Sequence, residues 1–227
     1  MEKGQETGGP TGSNPKQKSK NRTEHYQFCG HDLAITRDLT NDIGLSSYIW
    51  ECAVVFCQYF EKEKTNFTGK KIIELGSGTG IVGILAILLG GDVTLTDLPP
   101  ALSQIEHNVV SNVPTPAQPR SRVAALSWGK DQLLFPSDYD VILGSDITYA
   151  HREYQLLIDT LLHLSNPGTI IYLSSKMREH MAAIDFHNKL VLEHFNSEVV
   201  HRVPEKSINV FKLTKKYSME GYVGGKG

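Results

Sequence analysis

The sequence has few cysteines, no long apolar run and almost no net charge, and each of these absences argues against a class of protein. Its 227 residues include three cysteines, Cys29, Cys52 and Cys57, without zinc-site spacing or the density of a disulfide scaffold. The formal net charge of −2 does not provide the basic footprint of a nucleic-acid-binding protein. No apolar stretch approaches the roughly 20 residues that span a bilayer. We therefore expect no membrane and no direct nucleic-acid partner.

The chain divides into a polar N-terminal segment, one domain and a short tail. Residues 1–23 contain almost no apolar side chains and are predicted to be disordered. Residues 24–215 form the predicted domain, and residues 216–227 are predicted to be a flexible tail. The cysteines fit reduced thiols in a core, and the N-terminus has no apolar centre typical of a signal peptide. The expected location is the cytoplasm, with the nucleus and the centrosome as alternatives.

From Lys70 onward, buried strands alternate with helices, which is typical of a parallel sheet with right-handed crossovers. The predicted strands are residues 70–75, 92–96, 121–126, 140–145 and 169–174, and the helices are 80–89, 99–112, 152–164 and 177–194. Residues 197–203 and 208–213 are predicted to pair as an antiparallel hairpin. The predicted fold is α/β: a Rossmann-like seven-stranded sheet, mostly parallel with an antiparallel edge strand, preceded by an N-terminal β-hairpin and a helix.

A glycine turn between two of these strands indicates a nucleoside-containing cofactor. Strand 70–75 carries Glu74 and leads into Gly76-Ser77-Gly78-Thr79-Gly80, and the next strand ends at Asp97. Glycines let the backbone turn sharply and approach a ligand closely. A carboxylate at the tip of the second strand is placed to accept hydrogen bonds from ribose hydroxyls.

Two sequence patterns suggest that this cofactor is a nicotinamide dinucleotide. Residues 78–83 satisfy G-x-G-x-x-G, but the strand has already turned at Gly76. When the pattern is counted from Gly76, its third glycine position is occupied by Ile81. Glu74 would repel a pyrophosphate and attract the cationic amino group of a methionine moiety. Tyr172 and Lys176 have the spacing of a dehydrogenase pair, but Tyr172 lies in a predicted strand, whereas that pair needs one helix face. The residues therefore favour S-adenosyl-L-methionine.

Five short motifs resemble the methyltransferase-like 21 family of seven-strand protein-lysine methyltransferases. They occur in order at residues 49–51, 74–83, 95–99, 126–129 and 143–149. The resemblance covers about residues 25 to 215, nearly all of the predicted domain. Glu51 stands where the family usually has Asp, and Ser145 stands where it usually has Ala.

The resemblance and the glycine turn together define a set of candidate site residues. Those expected to bind the cofactor are Trp50, Glu74, Gly76, Ser77, Gly78, Asp97, Trp128 and Ser145. Asp146 and Tyr149 form an Asp-x-x-Tyr motif just past the fourth parallel strand and are the expected catalytic residues. Asp146 is expected to align the substrate amine, and Tyr149 to restrict its rotation.

The family resemblance implies methyl transfer from S-adenosyl-L-methionine to a lysine side chain of a protein. Residues 28–31 and 172–178 favour the members that act on translation elongation factor 1-alpha, and the enzyme is expected to be a monomer. The alternative substrates are a lysine of a chaperone and a lysine of an AAA ATPase. The alternative function is that of a catalytically idle module that binds S-adenosylmethionine. A methyltransferase of nucleic acids or small molecules is disfavoured because residues 146–149 lack the prolines of the amino-methylating nucleic-acid enzymes.

Overall fold

A computed structural model of the protein describes residues 21–39, 43–178 and 183–216. Residues 1–20 of the predicted N-terminal tail and residues 217–227 of the predicted C-terminal tail lie outside these ranges. The described chain opens with a two-stranded antiparallel sheet, β1 (Arg22–Phe28) and β2 (His31–Arg37). This hairpin was predicted, and it begins two residues before the predicted domain boundary because Arg22 and Thr23 pair with β2.

A seven-stranded sheet forms the centre of the domain. Its strands are β3 (Lys71–Leu75), β4 (Asp92–Asp97), β5 (Ser121–Ala125), β6 (Val141–Ser145), β7 (Ile170–Lys176), β8 (Phe195–Val203) and β9 (Ile208–Lys215). The order is β5-β4-β3-β6-β7-β9-β8, with the first five mutually parallel and β9 antiparallel to both neighbours. The predicted antiparallel strand is therefore β9, one position in from the edge. Strand β8 takes the edge, where only Phe195 of its residues is buried.

Helices cover both faces of this sheet. They are α1 (Glu51–Lys62), α2 (Ile81–Leu88), α3 (Leu102–Asn112), α4 (Tyr154–Leu164), α5 (Ala183–Asp185) and α6 (Val191–His194), with a π-helical turn at Phe186–Leu190 between the last two. The alternation of side chains along each strand separates two cores. Ile72 packs in the core shared with α1, α2 and α3, and its neighbour Ile73 packs in the core shared with α4 and α6. None of the described helices is long and apolar enough to cross a membrane.

Ser46 and Ser47 precede the apolar residues of α1 and are of a type that favours a helix N-cap, but α1 begins later. The structure has a short 3-10 turn at Gly44–Ser47 and starts α1 at Glu51, with Trp50 as the N-cap residue. The two serine hydroxyls have other acceptors: Ser47 donates to the carbonyl of Gly44 at 2.8 Å, and Ser46 donates to a carboxylate of β4. Trp50 therefore lies ahead of the helix, at the same end of the sheet as the glycine turn.

Helix α3 joins the hairpin to the glycine turn through buried amide side chains. Asn108 accepts from the N–H of Thr36 and donates to the carbonyl of Thr79, each at 2.9 Å. Gln104 accepts from the N–H of Asp38 at 2.7 Å and donates to the carbonyl of Gly78 at 3.1 Å. These bonds connect the glycine turn to the hairpin through α3.

Candidate active site

A cavity of about 350 Å³ opens at the carboxyl ends of β3, β4 and β6. Ligands of open α/β sheets bind at this edge, where the strand order reverses. Every candidate residue from the sequence lines it: Trp50, Glu74, Gly76, Ser77, Gly78, Asp97, Trp128, Ser145, Asp146 and Tyr149. The structure thus brings together residues that are up to 99 positions apart in the chain, from Trp50 to Tyr149.

The glycine turn forms the floor of the cavity. Gly76, Gly78 and Gly80 have φ angles of +62°, +57° and +81°, a left-handed conformation that side chains rarely adopt. A Cβ atom on Gly76 would lie 2.9 Å from Cγ2 of Ile147, which also lines the cavity. Gly76 is therefore required by its backbone conformation and by the lack of space beside it.

Asp97 ends β4 and holds the turn in place. One carboxylate oxygen accepts from the N–H of Gly78 at 2.7 Å, and the other accepts from the N–H of Leu98 at 2.7 Å and the hydroxyl of Ser46 at 3.3 Å. Burial raises the pKa of Asp97, and these donors oppose that effect. Because a carboxylate has about four acceptor positions, Asp97 retains capacity for a ligand.

Glu74 is a buried carboxyl group below the turn, with 1% of its surface exposed. It accepts from the N–H of Gly83 at 3.1 Å and from the hydroxyl of Ser77. Burial raises its pKa to about 8, and the nearby charge of Asp97 adds to the increase. Glu74 is thus largely protonated at neutral pH in the free protein, and a cation in the cavity would favour its ionised form.

Two tryptophans stand at different sides of the cavity. The indole N–H of Trp50 donates to the carbonyl of Leu45 at 3.1 Å, which connects it to the 3-10 turn ahead of α1. Trp128 follows β5, and its Cζ2 atom lies 3.6 Å from the position of a Cβ on Gly76. Both rings line the cavity and offer flat apolar surfaces to a ligand.

Asp146 follows β6 in a left-handed conformation, with φ of +53°. Its side chain is 4% exposed and forms a bidentate pair with Arg178, in which both N–H···O distances are 2.7 Å. Its own N–H donates to the carbonyl of Ser174 in the neighbouring strand β7 at 2.7 Å. The carboxylate is therefore fixed between two strands, and it lines the cavity.

Tyr149 and Ser145 flank Asp146. Tyr149 has 39% of its surface exposed, and burial of its hydroxyl together with the charge of Glu153 raises its pKa, so it keeps its proton at neutral pH. The hydroxyl of Ser145 is buried and has no hydrogen-bond partner among the described residues. Each side chain has a polar group available for a ligand.

Sequence reasoning missed two residues of this site. Ser46 donates to Asp97 across 51 positions, and Arg178 pairs with Asp146 across 32 positions. Arg178 stands in the stretch 172–178 that carries part of the family resemblance, which was the available signal. For Ser46 the sequence offered only a helix cap, which is the commonest role of a serine before an apolar run.

The described residues contain no group of three or more His, Cys, Asp or Glu side chains arranged to hold a metal ion.

His187 is buried against Phe211, with ring centres 3.8 Å apart, and its Nε2 atom lies 2.9 Å from the hydroxyl of Ser175. Burial lowers the pKa of His187 to about 3, so this histidine is neutral and belongs to the core.

The comparison with protein families decides the identity. The profile of a family described as lysine methyltransferase matches residues 27–192, well over half of the chain. The chain belongs to the lysine methyltransferase family. This confirms the family predicted from the five motifs, and with it the prediction of an S-adenosylmethionine-dependent protein-lysine methyltransferase.

Individual relatives of this lysine methyltransferase are similar over most of their length. EEF1A lysine methyltransferase 3 of Xenopus tropicalis is 51% identical over 191 residues, covering 84% of each chain. The protein of that name from Mus musculus is 47% identical over 194 residues, covering 86% of this chain and 83% of its own. Protein N-lysine methyltransferase METTL21A of Danio rerio is 37% identical over 194 residues, covering 85% of this chain and 88% of its own.

Solved structures confirm the predicted fold class. The 16S rRNA methyltransferase RsmC of T. thermophilus, solved with AdoMet and guanosine, has a TM-score of 0.61 at 12% identity, over 89% of this chain and 52% of its own. A TehB-like SAM-dependent methyltransferase of Corynebacterium glutamicum has a TM-score of 0.54 at 16% identity, over 74% of this chain and 89% of its own. The lysine methyltransferase has the methyltransferase sheet, and its cofactor is S-adenosyl-L-methionine.

The cavity fits this cofactor in three respects. Its volume of about 350 Å³ is within the usual range for a cofactor site. The left-handed turn at Gly76 and Gly78 places backbone at the surface of the cavity. Polar groups with spare capacity, Asp97 and Ser145, border the cavity.

Proposed function

We propose that this lysine methyltransferase transfers a methyl group to a lysine of translation elongation factor 1-alpha. The substrate is inferred from the 51% sequence identity to a relative named EEF1A lysine methyltransferase 3, compared with 37% identity to one named METTL21A. An Asp-x-x-Tyr motif at the cavity, with the carboxylate of Asp146 held by a bidentate pair, supports a site for an amine.

We propose the following cofactor-binding roles for the residues that line the cavity. Asp97 holds the ribose through the acceptor position that Gly78, Leu98 and Ser46 leave free, and Trp128 packs against the adenine. Gly76, Ser77 and Gly78 contribute close backbone. The remaining candidates, Glu74, Trp50 and Ser145, surround the methionine portion.

When bound, S-adenosyl-L-methionine supplies a methyl carbon on a positively charged sulfur, and transfer forms the N–C bond of methyllysine while the S–C bond breaks. The protein must present a neutral amine, although a free lysine has a pKa of about 10.4. Asp146 accepts a hydrogen bond from the amine, and Tyr149 limits its rotation. Enclosure beside Trp50 removes water, which disfavours the ammonium form. Positioning of this kind supplies a large part of the rate in two-substrate reactions.

Asp97→Ala should weaken S-adenosylmethionine binding by tenfold or more. The change removes the acceptors for ribose and for the Gly78 N–H, and a hydrogen bond to a charged group contributes about 1.5–3 kcal/mol. Isothermal titration calorimetry measures the affinity. Asp92→Ala is the matched control, because Asp92 is exposed at the opposite end of the same strand. An unchanged dissociation constant for a folded Asp97→Ala would limit Asp97 to holding the turn.

S-adenosylmethionine affinity should rise between pH 6 and pH 8, as Glu74 loses its proton. The folded-state pKa of Glu74 is about 8, so at lower pH cofactor binding must first release that proton. The expected effect approaches roughly tenfold in affinity per pH unit below the pKa. Because the amino group of the cofactor titrates in the same pH range, the quantity to compare is the ratio of the wild-type affinity to the Glu74→Gln affinity at each pH. A ratio independent of pH would contradict this role of Glu74.

The substrate proposal is tested with methyl-labelled S-adenosylmethionine and three purified proteins: elongation factor 1-alpha, a chaperone and an AAA ATPase. We expect label in a lysine of elongation factor 1-alpha, located by mass spectrometry of its peptides. Label in another protein alone would refute the substrate and leave the family intact. Cofactor binding with no labelled protein would favour the idle binding module.

We further propose that the enzyme acts as a monomer in the cytoplasm, without nucleic acid. All three cysteines are free thiols, as suits a reducing compartment. Light scattering of the purified protein tests the oligomeric state, and imaging of a tagged copy in cells tests the location.

A further inference from the structure

Resting on the proposed function, we infer that Arg178 is a positioning residue that makes Asp146 accept a neutral amine in preference to an ammonium ion. Arg178 lies just past β7 and reaches across to the residue that follows β6. Its two terminal nitrogens donate to the two oxygens of Asp146, each at 2.7 Å. This fork geometry fixes the plane of the carboxylate as well as its charge.

The acceptor positions of Asp146 are nearly all in use. A carboxylate offers about four acceptor positions. Arg178 takes two, and the buried thiol of Cys52 takes a third, because burial raises the pKa of that thiol and keeps it protonated. The fourth is met only by a long contact of 3.5 Å from the backbone N–H of Lys176, so this position suits a single N–H of an incoming amine.

The charges around Asp146 make Arg178 its one close counter-ion among the described residues. From α1, Glu51 faces the same region, but it pairs with Lys176 at 2.7 Å and with Lys206 at 3.9 Å. The remaining charged and titratable groups at the cavity are Tyr48, Tyr149, Glu153, Asp97, Glu74 and Lys130. The hydrogen bonds to Asp146 also raise the pKa of Arg178, which therefore stays charged.

A neutralised carboxylate has a predictable effect on the substrate. An unpaired Asp146 would attract the lysine ammonium and raise the pKa of the bound amine, in the direction opposite to the reaction. Paired with Arg178, it forms a neutral unit, and adding an ammonium would place two cations on one carboxylate. A neutral amine meets no such repulsion and still donates its hydrogen bond, with its lone pair free for the methyl carbon.

The guanidinium also contacts the wall of the cavity. Its central carbon lies 5.9 Å from the ring centre of Trp50, within the range of a cation–π contact. The side chain is 18% exposed, so water screens the pair only in part. Trp50 thus supports the orientation of Arg178, and through it that of Asp146.

The test is the pH dependence of kcat for wild type, Arg178→Met and Arg178→Lys, with S-adenosylmethionine saturating. The rising limb of this profile reports deprotonation of the bound amine. Without the arginine charge, the limb should move to higher pH by about one to two units, so that kcat at pH 7 falls while KM stays equal or decreases. Arg178→Lys restores a charge without the fork and should return the limb toward the wild-type position at a lower maximum.

Two outcomes would overturn this role. One is a kcat that falls by the same factor at every pH in Arg178→Met, and the other is a shifted limb that Arg178→Lys does not restore. Melting temperature and cofactor affinity confirm that each variant is folded. If Arg178→Met does not fold, Arg178→Gln removes the charge and keeps one donor. If wild type does not label elongation factor 1-alpha, the proposed substrate fails, and the same profiles are measured on the protein that it does label.

Discussion

Asp146→Asn should reduce lysine methylation by roughly 100-fold or more while leaving S-adenosylmethionine affinity within a few-fold of wild type. The change removes the charge that pairs with Arg178 and one of the two oxygens that hold the guanidinium. Asparagine is preferable to alanine here because it tolerates the left-handed backbone of residue 146, whose φ is +53°. Methylation rate and cofactor affinity are measured on one preparation.

The control for this variant is Asp159→Asn, an exposed position on α4. It should methylate at the wild-type rate. Normal methylation by Asp146→Asn would refute the assigned role, and loss of cofactor binding would place Asp146 among the residues that hold the cofactor. Tyr149→Phe divides the motif further: a small loss assigns positioning to the ring, and a loss near that of Asp146→Asn assigns it to the hydroxyl.

Gly76→Ala should weaken S-adenosylmethionine binding by about 100-fold or more. In the conformation that binds the cofactor, a non-glycine residue in the left-handed region costs roughly 1–2 kcal/mol of conformational free energy. Overpacking of its side chain costs about 1–3 kcal/mol more. The new methyl group would lie 2.9 Å from Ile147 and 3.6 Å from Trp128, and both side chains line the cavity. Any shift that relieves the contact changes the surface that meets the cofactor.

Gly69→Ala separates backbone strain from loss of space. Gly69 also has a positive φ, +72°, but a Cβ there would meet nothing within 4 Å, and it lies before β3, away from the cavity. We expect Gly69→Ala to have similar backbone strain and an unchanged affinity for the cofactor. Equal affinity losses in the two variants would show that strain transmitted through β3 is responsible, and wild-type affinity in Gly76→Ala would refute the close approach.

The sequence by itself determined the parts of this protein that depend on short-range chemistry. The alternation of Ile72 and Ile73 between two cores follows from the period of a strand, and the turn at Gly76 follows from the backbone freedom of glycine. Strand, turn and helix follow one another within a few residues, and parallel strands align their carboxyl ends. For this reason Glu74, Asp97 and Asp146 could be placed at one edge of the sheet before the structure was known.

Only the tertiary structure decided which side chains meet across that edge. Arg178 reaches Asp146 because β7 lies beside β6, and Ser46 reaches Asp97 because the segment before α1 folds over the end of β4. Helix α1 starts at Glu51, beyond Ser46, whose hydroxyl donates to Asp97 and does not cap the helix. A hydroxyl or guanidinium has several possible partners of similar strength, and local preference does not select among them. The selection comes from burial, which makes an unpaired polar group costly, and burial is a property of the assembled fold.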